Sequence, residues 1–128
     1  MRVLRQLVVP AAFGLIAAFG FSSQAFAAKC EVTGAIFYMH KNDASQQTVR
    51  TDQHGCDLHF ITRKNTRFSS AKIVAKAQNG LLRKIAHLEF RYKPRPGFTG
   101  TDKFAIQVCG RTRAGRGCST LNYDAVVE

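Results

Sequence analysis

The sequence predicts an all-β protein, an antiparallel sandwich of about seven strands preceded by a cleavable signal peptide. Three observations lead to this prediction. Apolar and polar residues alternate in short runs along residues 28–128, and no run keeps the 3.6-residue period of a helix. Turn residues separate these runs at close spacing. Four cysteines follow an apolar N-terminal segment, which is typical of small exported domains stabilised by disulfides.

The N-terminal segment has the three parts of a signal peptide. Two arginines near the N-terminus supply positive charge, and residues 7–21 are almost wholly apolar. Ala25 and Ala27 are the small residues that a signal peptidase reads. The apolar run is shorter than the roughly 20 residues of a membrane-spanning helix. We therefore expect cleavage before Ala28, a single mature domain over residues 28–128 without a transmembrane anchor, and a periplasmic or secreted location.

The first half of the mature domain predicts three strands. Residues 32–38 are rich in β-branched and aromatic side chains. Residues 41–53 are polar and predict a loop, or a loop with a weak edge strand. Residues 56–62 alternate between apolar and polar side chains, as in a half-buried strand. Residues 63–70 predict a polar connection, and residues 71–77 alternate again.

The second half predicts a meander with a well-defined core. Asn79 and Gly80 predict a tight hairpin turn. Residues 81–85 and 86–93 continue as strands, and Pro94 ends the second of them. We expect three rows of side chains to face the core: Leu88, Phe90 and Tyr92; Phe104, Ile106 and Val108; and Leu121, Tyr123, Ala125 and Val127.

The four cysteines allow three disulfide pairings. Cys109 and Cys118 bracket residues 110–117, whose glycines and arginines are typical of a hairpin loop between two strands. A disulfide across the base of such a hairpin is geometrically easy. This favours Cys109–Cys118 and leaves Cys30–Cys56 as the second bridge.

Residues 90–104 read F-R-Y-K-P-R-P-G-F-T-G-T-D-K-F. This run resembles bacterial Ig-like, cadherin-like domains, which carry F-x-Y-x-P followed by P-G-F-x-G-x-D-x-F. Residues 72–80 are similar to the hairpin that precedes this signature in those domains. The resemblance covers about residues 71–127 and implies an Ig-like sandwich. It implies no particular activity, because such domains serve as spacers, adhesion modules and binding modules.

The signature also has a physical interpretation. Gly97 and Gly100 permit backbone angles that a side chain would forbid. Asp102 is expected to accept hydrogen bonds from turn amides. Phe98 and Phe104 are expected to fill the core. Family members repeat the unit in tandem, whereas it occurs once here with added cysteines, which argues against a spacer.

The mature domain is strongly basic. Without the two arginines of the signal segment, 17 lysines and arginines remain against 8 acidic residues, a net charge of +9. Such a charge bears on solubility and association rather than on fold. It predicts anionic partners: an anionic polymer, an envelope surface or an acidic protein. Nucleic acid is a weaker candidate, because no helix-turn-helix, zinc-finger or RNA-binding sequence is present.

The strongest candidate site is the loop between Cys109 and Cys118. Its guanidinium groups suit phosphate and carboxylate, and the disulfide would hold them in place. Together with a second basic set along one strand and its exit, the predicted anion-binding residues are Arg111, Arg113, Arg116, Lys84, Arg91, Lys93 and Arg95. A third basic group comprises Arg63, Lys64 and Arg67. The competing interpretation is that these charges only keep the domain soluble.

Catalysis and metal binding lack matching patterns. The residue types that suit copper or zinc are Met39, His40, His54, Cys56 and His59. The odd spacing from His54 to His59 predicts opposite faces of a strand. No serine-hydrolase, metalloprotease or phosphate-loop motif is present. We expect a non-catalytic protein without a metal or other cofactor.

Two functions remain from the sequence. The first is an exported binding protein that uses its basic surface to engage an anionic envelope or polymer partner. The second is a structural or inhibitory module that recognises one protein partner through its loops, with charge only steering the encounter.

Overall fold

The computed structural model describes residues 28–128, together with Gly14 and Gly20. The predicted signal peptide therefore lies outside the described residues. The domain is all-β, as predicted, with eight strands and one short 3-10 helix. In chain order these are β1 Cys30–Gly34, the 3-10 helix Met39–Lys41, β2 Ala44–Thr51, β3 Cys56–His59, β4 Thr66–Ala75, β5 Gly80–Ala86, β6 Glu89–Pro94, β7 Gly100–Thr112 and β8 Gly115–Val127. No helix in this described part is long and apolar enough to cross a membrane.

The strands form two sheets of a sandwich. The large sheet has the order β1-β2-β8-β7-β4, and the small sheet has the order β3-β6-β5. Every neighbouring pair is antiparallel except β2 with β8, which run parallel from Ala44 opposite Thr120 to Thr51 opposite Val127. The prediction of a purely antiparallel sandwich is therefore wrong at this pair. The sequence does not predict the parallel pairing of β2 with β8, because strands that are remote in the chain are not joined by a local turn.

The strand directions divide the loops between two ends of the sandwich. We call the end at which β7 turns into β8 the hairpin end. It carries four connections: residues 35–43, 60–65, 87–88 and 113–114. The opposite end, the terminal end, carries residues 52–55, 76–79 and 95–99. Lys29 and Glu128 form an ion pair at the terminal end.

The core lies between the sheets and contains the predicted inward rows. Phe104, Ile106 and Val108 of β7 are buried, as are all four predicted residues of β8. Phe90 and Tyr92 of β6 are fully buried, while Leu88 is half-buried at the start of that row. The rings of Tyr92, Phe104 and Tyr123 stack in series, with centroid distances of 5.3 and 4.9 Å. The period-two alternation therefore predicted these three rows, and the core also includes Met39, Val49 and Leu82 from outside them.

Residues 41–53, predicted as a loop or a weak edge strand, contain β2 in the interior of the large sheet. Its inward residues are buried although three of the four are polar: Ser45, Gln47, Val49 and Thr51. Gln47 Nε2 donates hydrogen bonds to the Ala35 carbonyl oxygen and to Ser45 Oγ, both at 2.9 Å. Buried polar groups are tolerated when they are paired in this way. Because polar residues occupy the inward row, β2 has no amphipathic signal.

Other boundaries also differ from the prediction. The first strand ends at Gly34 rather than at residue 38, and β4 begins at Thr66, inside the segment predicted as a polar connection. The hairpin predicted at Asn79 and Gly80 is wrong, because β4 pairs with β7 and β5 pairs with β6. Residues 76–79 instead cross between the sheets. Gly80 begins β5, where a Cβ would lie 2.6 Å from the Lys93 carbonyl oxygen.

Asp102 anchors this crossover. The buried carboxylate accepts hydrogen bonds from the backbone N–H groups of Gln78 and Asn79, each at 3.0 Å, and of Lys103 at 2.8 Å. It also accepts one from the Tyr92 hydroxyl at 2.9 Å. Asp102 is a hydrogen-bond acceptor for backbone amides, as predicted, but two of its donors belong to the crossover rather than to its own turn.

Glycines and cysteines occupy the predicted roles. Gly97 and Gly100 adopt φ angles of 80° and 123° in the turn before β7. Phe104 is buried and Phe98 is partly buried against the core. The disulfides are Cys30–Cys56, which joins the two sheets, and Cys109–Cys118, which bridges directly opposite residues of β7 and β8. The hairpin loop predicted over residues 110–117 contracts to a turn at residues 113–114.

Candidate anion-binding surface

Three arginines form a row across the outer face of the large sheet. Arg67 of β4 lies directly opposite Arg111 of β7, which lies directly opposite Arg116 of β8. The inward row of β7 has even residue numbers, so Arg111 and its partners project away from the core. Like charges directly opposite one another destabilise a sheet. Repulsion within the arginine row is therefore expected to lower the stability of the sheet rather than to raise it.

Two basic turns stand side by side next to this row. The Arg63–Thr66 turn is closed by backbone hydrogen bonds of 2.8 and 3.1 Å between its first and last residues. Arg63 and Lys64 belong to this turn, and Arg113 belongs to the turn between β7 and β8. A cleft of about 270 Å³ between the two turns is lined by five cations: Arg63, Lys64, Arg67, Arg111 and Arg113. A neighbouring cleft of about 320 Å³ includes Arg67, Arg111 and Arg116.

We call Arg63, Lys64, Arg67, Arg111, Arg113 and Arg116 the basic cluster. Residues 28–128 contain all eight carboxylate side chains of the chain, and within them no member of the cluster forms an ion pair. Asp57 is paired with Arg91, and Asp124 is paired with Lys103 at 3.1 Å. Glu128 is paired with both Lys29 and Arg50. The positive charge of the cluster is therefore not neutralised by any carboxylate of the described residues.

The structure separates the strand-borne cations from the arginine loop. Arg91 Nε and Nη2 bind the Asp57 carboxylate at 2.7 and 2.9 Å, a bidentate pair between β6 and β3. The hydrogen bond from Arg91 holds the pKa of Asp57 below its ordinary value. Lys84 Nζ donates to the Ala71 carbonyl oxygen at 2.8 Å. Both cations thus already have partners within the fold.

Lys93 and Arg95 lie at the terminal end, where the Arg95 guanidinium lies 5.8 Å from the centroid of the Phe98 ring. At about 3.3 Å per residue, the 13 residues of β7 span roughly 40 Å between the two ends. The seven predicted residues therefore do not form one surface. The cations that lie beside the arginine loop are instead Arg63, Lys64 and Arg67. Their position follows from the register of β4 with β7, which the sequence does not show.

The 3-10 helix supports the basic hairpin from beneath. Met39 is buried, and its backbone lies against Gly117. Thr112 Oγ1 and His40 Nδ1 are 2.7 Å apart, and Asn42 Oδ1 accepts a hydrogen bond of 3.0 Å from the Cys118 N–H. These contacts and the Cys109–Cys118 disulfide connect the hairpin that carries the arginines to the 3-10 helix and across its own two strands.

The histidines considered as metal ligands are dispersed. His54 Nδ1 lies 3.0 Å from Asp52, and His59 Nδ1 lies 3.4 Å from Glu89. Cys56 is in a disulfide, and His40 contacts Thr112. Within residues 28–128, no group of three or more His, Cys, Asp or Glu side chains is placed to hold a metal ion.

Comparison with protein-family models finds no match to this chain, and comparisons with curated proteins and with solved structures find none either. What the surface can do follows from its chemistry. Five guanidinium groups and one ammonium group, five of them around one cleft, suit an anion that presents several phosphates or carboxylates at once.

Proposed function

We propose that this chain is an exported, non-catalytic binding protein of the periplasm or cell exterior, whose basic cluster engages an anionic envelope surface or polymer. One observation carries the proposal. Arg67, Arg111 and Arg116 are held in register on three adjacent strands, and no carboxylate of residues 28–128 pairs with them. Surface charges that served only solubility would not need to be aligned on adjacent strands, because alignment increases their mutual repulsion.

The mechanism is multivalent and electrostatic. A single exposed ion pair contributes at most about 1 kcal/mol, so no one arginine suffices. Several pairs formed at once by a repeating anion add up, because the first contact raises the effective concentration of the others. The sheet register and the Cys109–Cys118 bridge hold the guanidinium groups in place beforehand, which reduces the entropy lost on binding.

The proposal includes an Ig-like sandwich and export of the mature domain. The order of β3, β6 and β5 in one sheet, opposite β4, β7 and β8 in the other, supports an Ig-like arrangement. The apolar N-terminal segment with its alanine cleavage site supports export. Two disulfides in a small domain support an oxidising compartment.

A salt-dependent binding experiment tests the cluster. The oxidised mature protein is co-sedimented with the envelope fraction of its own cells and titrated with soluble polyphosphate, at low and at high salt. Replacing Arg111, Arg113 and Arg116 together with serine should weaken binding about tenfold, since three exposed pairs at about 0.5 kcal/mol each sum to about 1.5 kcal/mol. The variant should also show a flatter salt dependence, because fewer screened contacts remain.

A matched control separates a local site from net charge. Replacing Lys76, Lys93 and Arg95 with serine also removes three positive charges, but from the terminal end. This control should bind within about twofold of wild type, as expected for surface substitutions outside a site. Equal loss in both variants, or no loss in the arginine variant, would contradict the proposal. Binding of one soluble protein that persists at high salt would favour the alternative of a protein-recognition module.

A further inference from the structure

The two most exposed large apolar side chains of residues 28–128 lie at the hairpin end. Ile36 is 79% exposed in the segment between β1 and the 3-10 helix, and Ile61 is 67% exposed in the segment between β3 and β4. Single exposed apolar residues are ordinary on protein surfaces. Two isoleucines that project from turns at the same end as the basic cluster call for an explanation.

An aromatic cluster fixes the position of these isoleucines relative to the basic cluster. Phe37, Phe60 and Phe68 close the core at this end, with ring centroids 6.3 Å apart for Phe37 and Phe68 and 5.6 Å apart for Phe60 and Phe68. Each ring is followed or preceded in the chain by a surface residue. Ile36 precedes Phe37, Ile61 follows Phe60, and Arg67 precedes Phe68. The two isoleucines and the arginine row are therefore attached next to the same cluster of three aromatic rings.

An amphipathic aromatic residue belongs to the same surface. Tyr38 is 44% exposed, and Lys41 Nζ lies 4.7 Å from the centroid of its ring. Tyrosine rings of this kind favour the boundary between water and lipid, where the ring is apolar and the hydroxyl is hydrated. The carboxylates nearby have partners: Asp43 accepts hydrogen bonds from Ser119 and from the Tyr38 N–H, and Glu89 contacts His59.

We propose that the hairpin end docks on the surface of an anionic lipid bilayer, with Ile36 and Ile61 inserted at the level of the upper acyl chains and the basic cluster against the headgroup phosphates. The inference rests on the proposed function and names the lipid headgroup as its anion. A soluble polyanion offers cations a partner but gives the isoleucines no apolar phase. A bilayer satisfies both, because apolar burial and attraction to anionic lipid act together at its surface.

Vesicle co-sedimentation tests the role of the isoleucines. The oxidised mature protein should bind vesicles of phosphatidylglycerol and phosphatidylethanolamine, and should not bind vesicles of phosphatidylcholine alone. The double variant Ile36→Ser, Ile61→Ser should bind the anionic vesicles at least about tenfold more weakly, because two aliphatic side chains no longer leave water. It should bind soluble polyphosphate as wild type does. The control Val74→Ser, Leu81→Ser removes comparably exposed apolar side chains elsewhere and should keep both activities.

Fluorescence gives a second measurement that does not depend on the serine variants. The chain contains no tryptophan, so Ile61→Trp supplies a single probe at the hairpin end. Its emission should shift to shorter wavelength when anionic vesicles are added, whereas the emission of Leu81→Trp at the terminal end should not. Unchanged Ile61→Trp emission, equal binding to phosphatidylcholine, or full vesicle binding by the double serine variant would overturn the inference. A protein that binds polyphosphate but no vesicles refutes this inference alone, whereas one that binds neither also refutes the proposed function.

Discussion

Asp102 joins the two sheets through one side chain. It belongs to β7 of the large sheet, yet it accepts a hydrogen bond from Tyr92 of the small sheet and from two amides of the crossover between them. Burying a carboxylate is costly unless donors replace the water that it loses. Four donors meet this need, so each of them carries a share of the stability of the domain.

We expect Tyr92→Phe to destabilise the domain by about 1–3 kcal/mol at neutral pH, because it removes a hydrogen bond to a buried carboxylate while it keeps the ring in the core. Urea denaturation of the oxidised protein measures this change. Phe104→Tyr is not a useful control, since it would add a buried hydroxyl. Tyr38→Phe is the matched control, because Tyr38 is exposed, and it should change the free energy of unfolding by less than about 0.5 kcal/mol.

The Tyr92→Phe variant should also change how the free energy of unfolding depends on alkaline pH. Burial foremost, and then the hydrogen bond to Asp102, raise the pKa of Tyr92 above its ordinary value. Its contribution to stability is complete below about pH 10 and is lost as the pH rises, because the unfolded chain ionises first. Wild type should therefore lose stability more steeply than Tyr92→Phe as the pH rises above about 10. Parallel alkaline losses in the two proteins would refute this account.

Two of the amide donors of Asp102 could not be predicted from the sequence. The P-G-F-x-G-x-D-x-F run identified Asp102 as an acceptor, and its local glycines suggested donors in its own turn. Gln78 and Asn79 lie 24 and 23 residues earlier. Their role depends on β4 and β5 lying in different sheets, which no local pattern encodes.

Elements with an apolar inward row were predictable, and elements without one were not. The strands β6, β7 and β8 carry apolar inward rows whose members were predicted, although the buried Ala105 and Ser119 were not. The strand β2 was predicted only as a loop or as a loop with a weak edge strand, because Ser45, Gln47 and Thr51 occupy its inward positions. The basic cluster could likewise be predicted only in part. Its two halves were visible as separate charged stretches, and only the pairing of Arg67 with Arg111 joins them.

Docking of the 3-10 helix on the basic hairpin depends on glycine at position 117. A Cβ there would contact the Met39 carbonyl oxygen and would lie 2.7 Å from Asn42 Oδ1. We expect Gly117→Ala to push the helix away and to cost about 1–3 kcal/mol of stability, as overpacking does elsewhere. Thermal denaturation measures the effect. Asn122→Ala, on the exposed face of the same strand, should cost less than about 0.5 kcal/mol, and equal losses would count against the packing argument.

Over the whole of the described domain, cations lie at both ends, but carboxylates are more numerous at the terminal end. The basic cluster occupies the hairpin end, whereas Lys76, Lys93 and Arg95 share the terminal end with the Lys29–Glu128 pair, Asp52 and Asp102. A charge distribution of this kind orients a protein as it approaches an anionic surface. The orientation expected here presents the hairpin end first, which is the end that carries the isoleucines.

The two disulfides should contribute unequally to the stability of the whole domain. Cys30–Cys56 closes a separation of 26 residues, and Cys109–Cys118 closes a separation of 9 across strands that are already paired. Loop-closure entropy gives about 3.5 kcal/mol for the first and about 2.5 kcal/mol for the second. Replacing each cysteine pair with serines should therefore lower the urea midpoint more for Cys30 and Cys56. The reverse order would show that the hairpin bridge constrains more than its own loop.

The parallel pairing of β2 with β8 also determines when the chain can fold. A chain that leaves the ribosome N-terminus first presents β2 long before β8, its partner 76 residues later, has been made. Until then β2 has only β1 beside it, and an isolated two-stranded ribbon is marginal in water. Contacts so distant in sequence form late and slowly. We therefore expect the nascent chain to remain unfolded until β8 has been made, and an unfolded chain is the form that the proposed export would require.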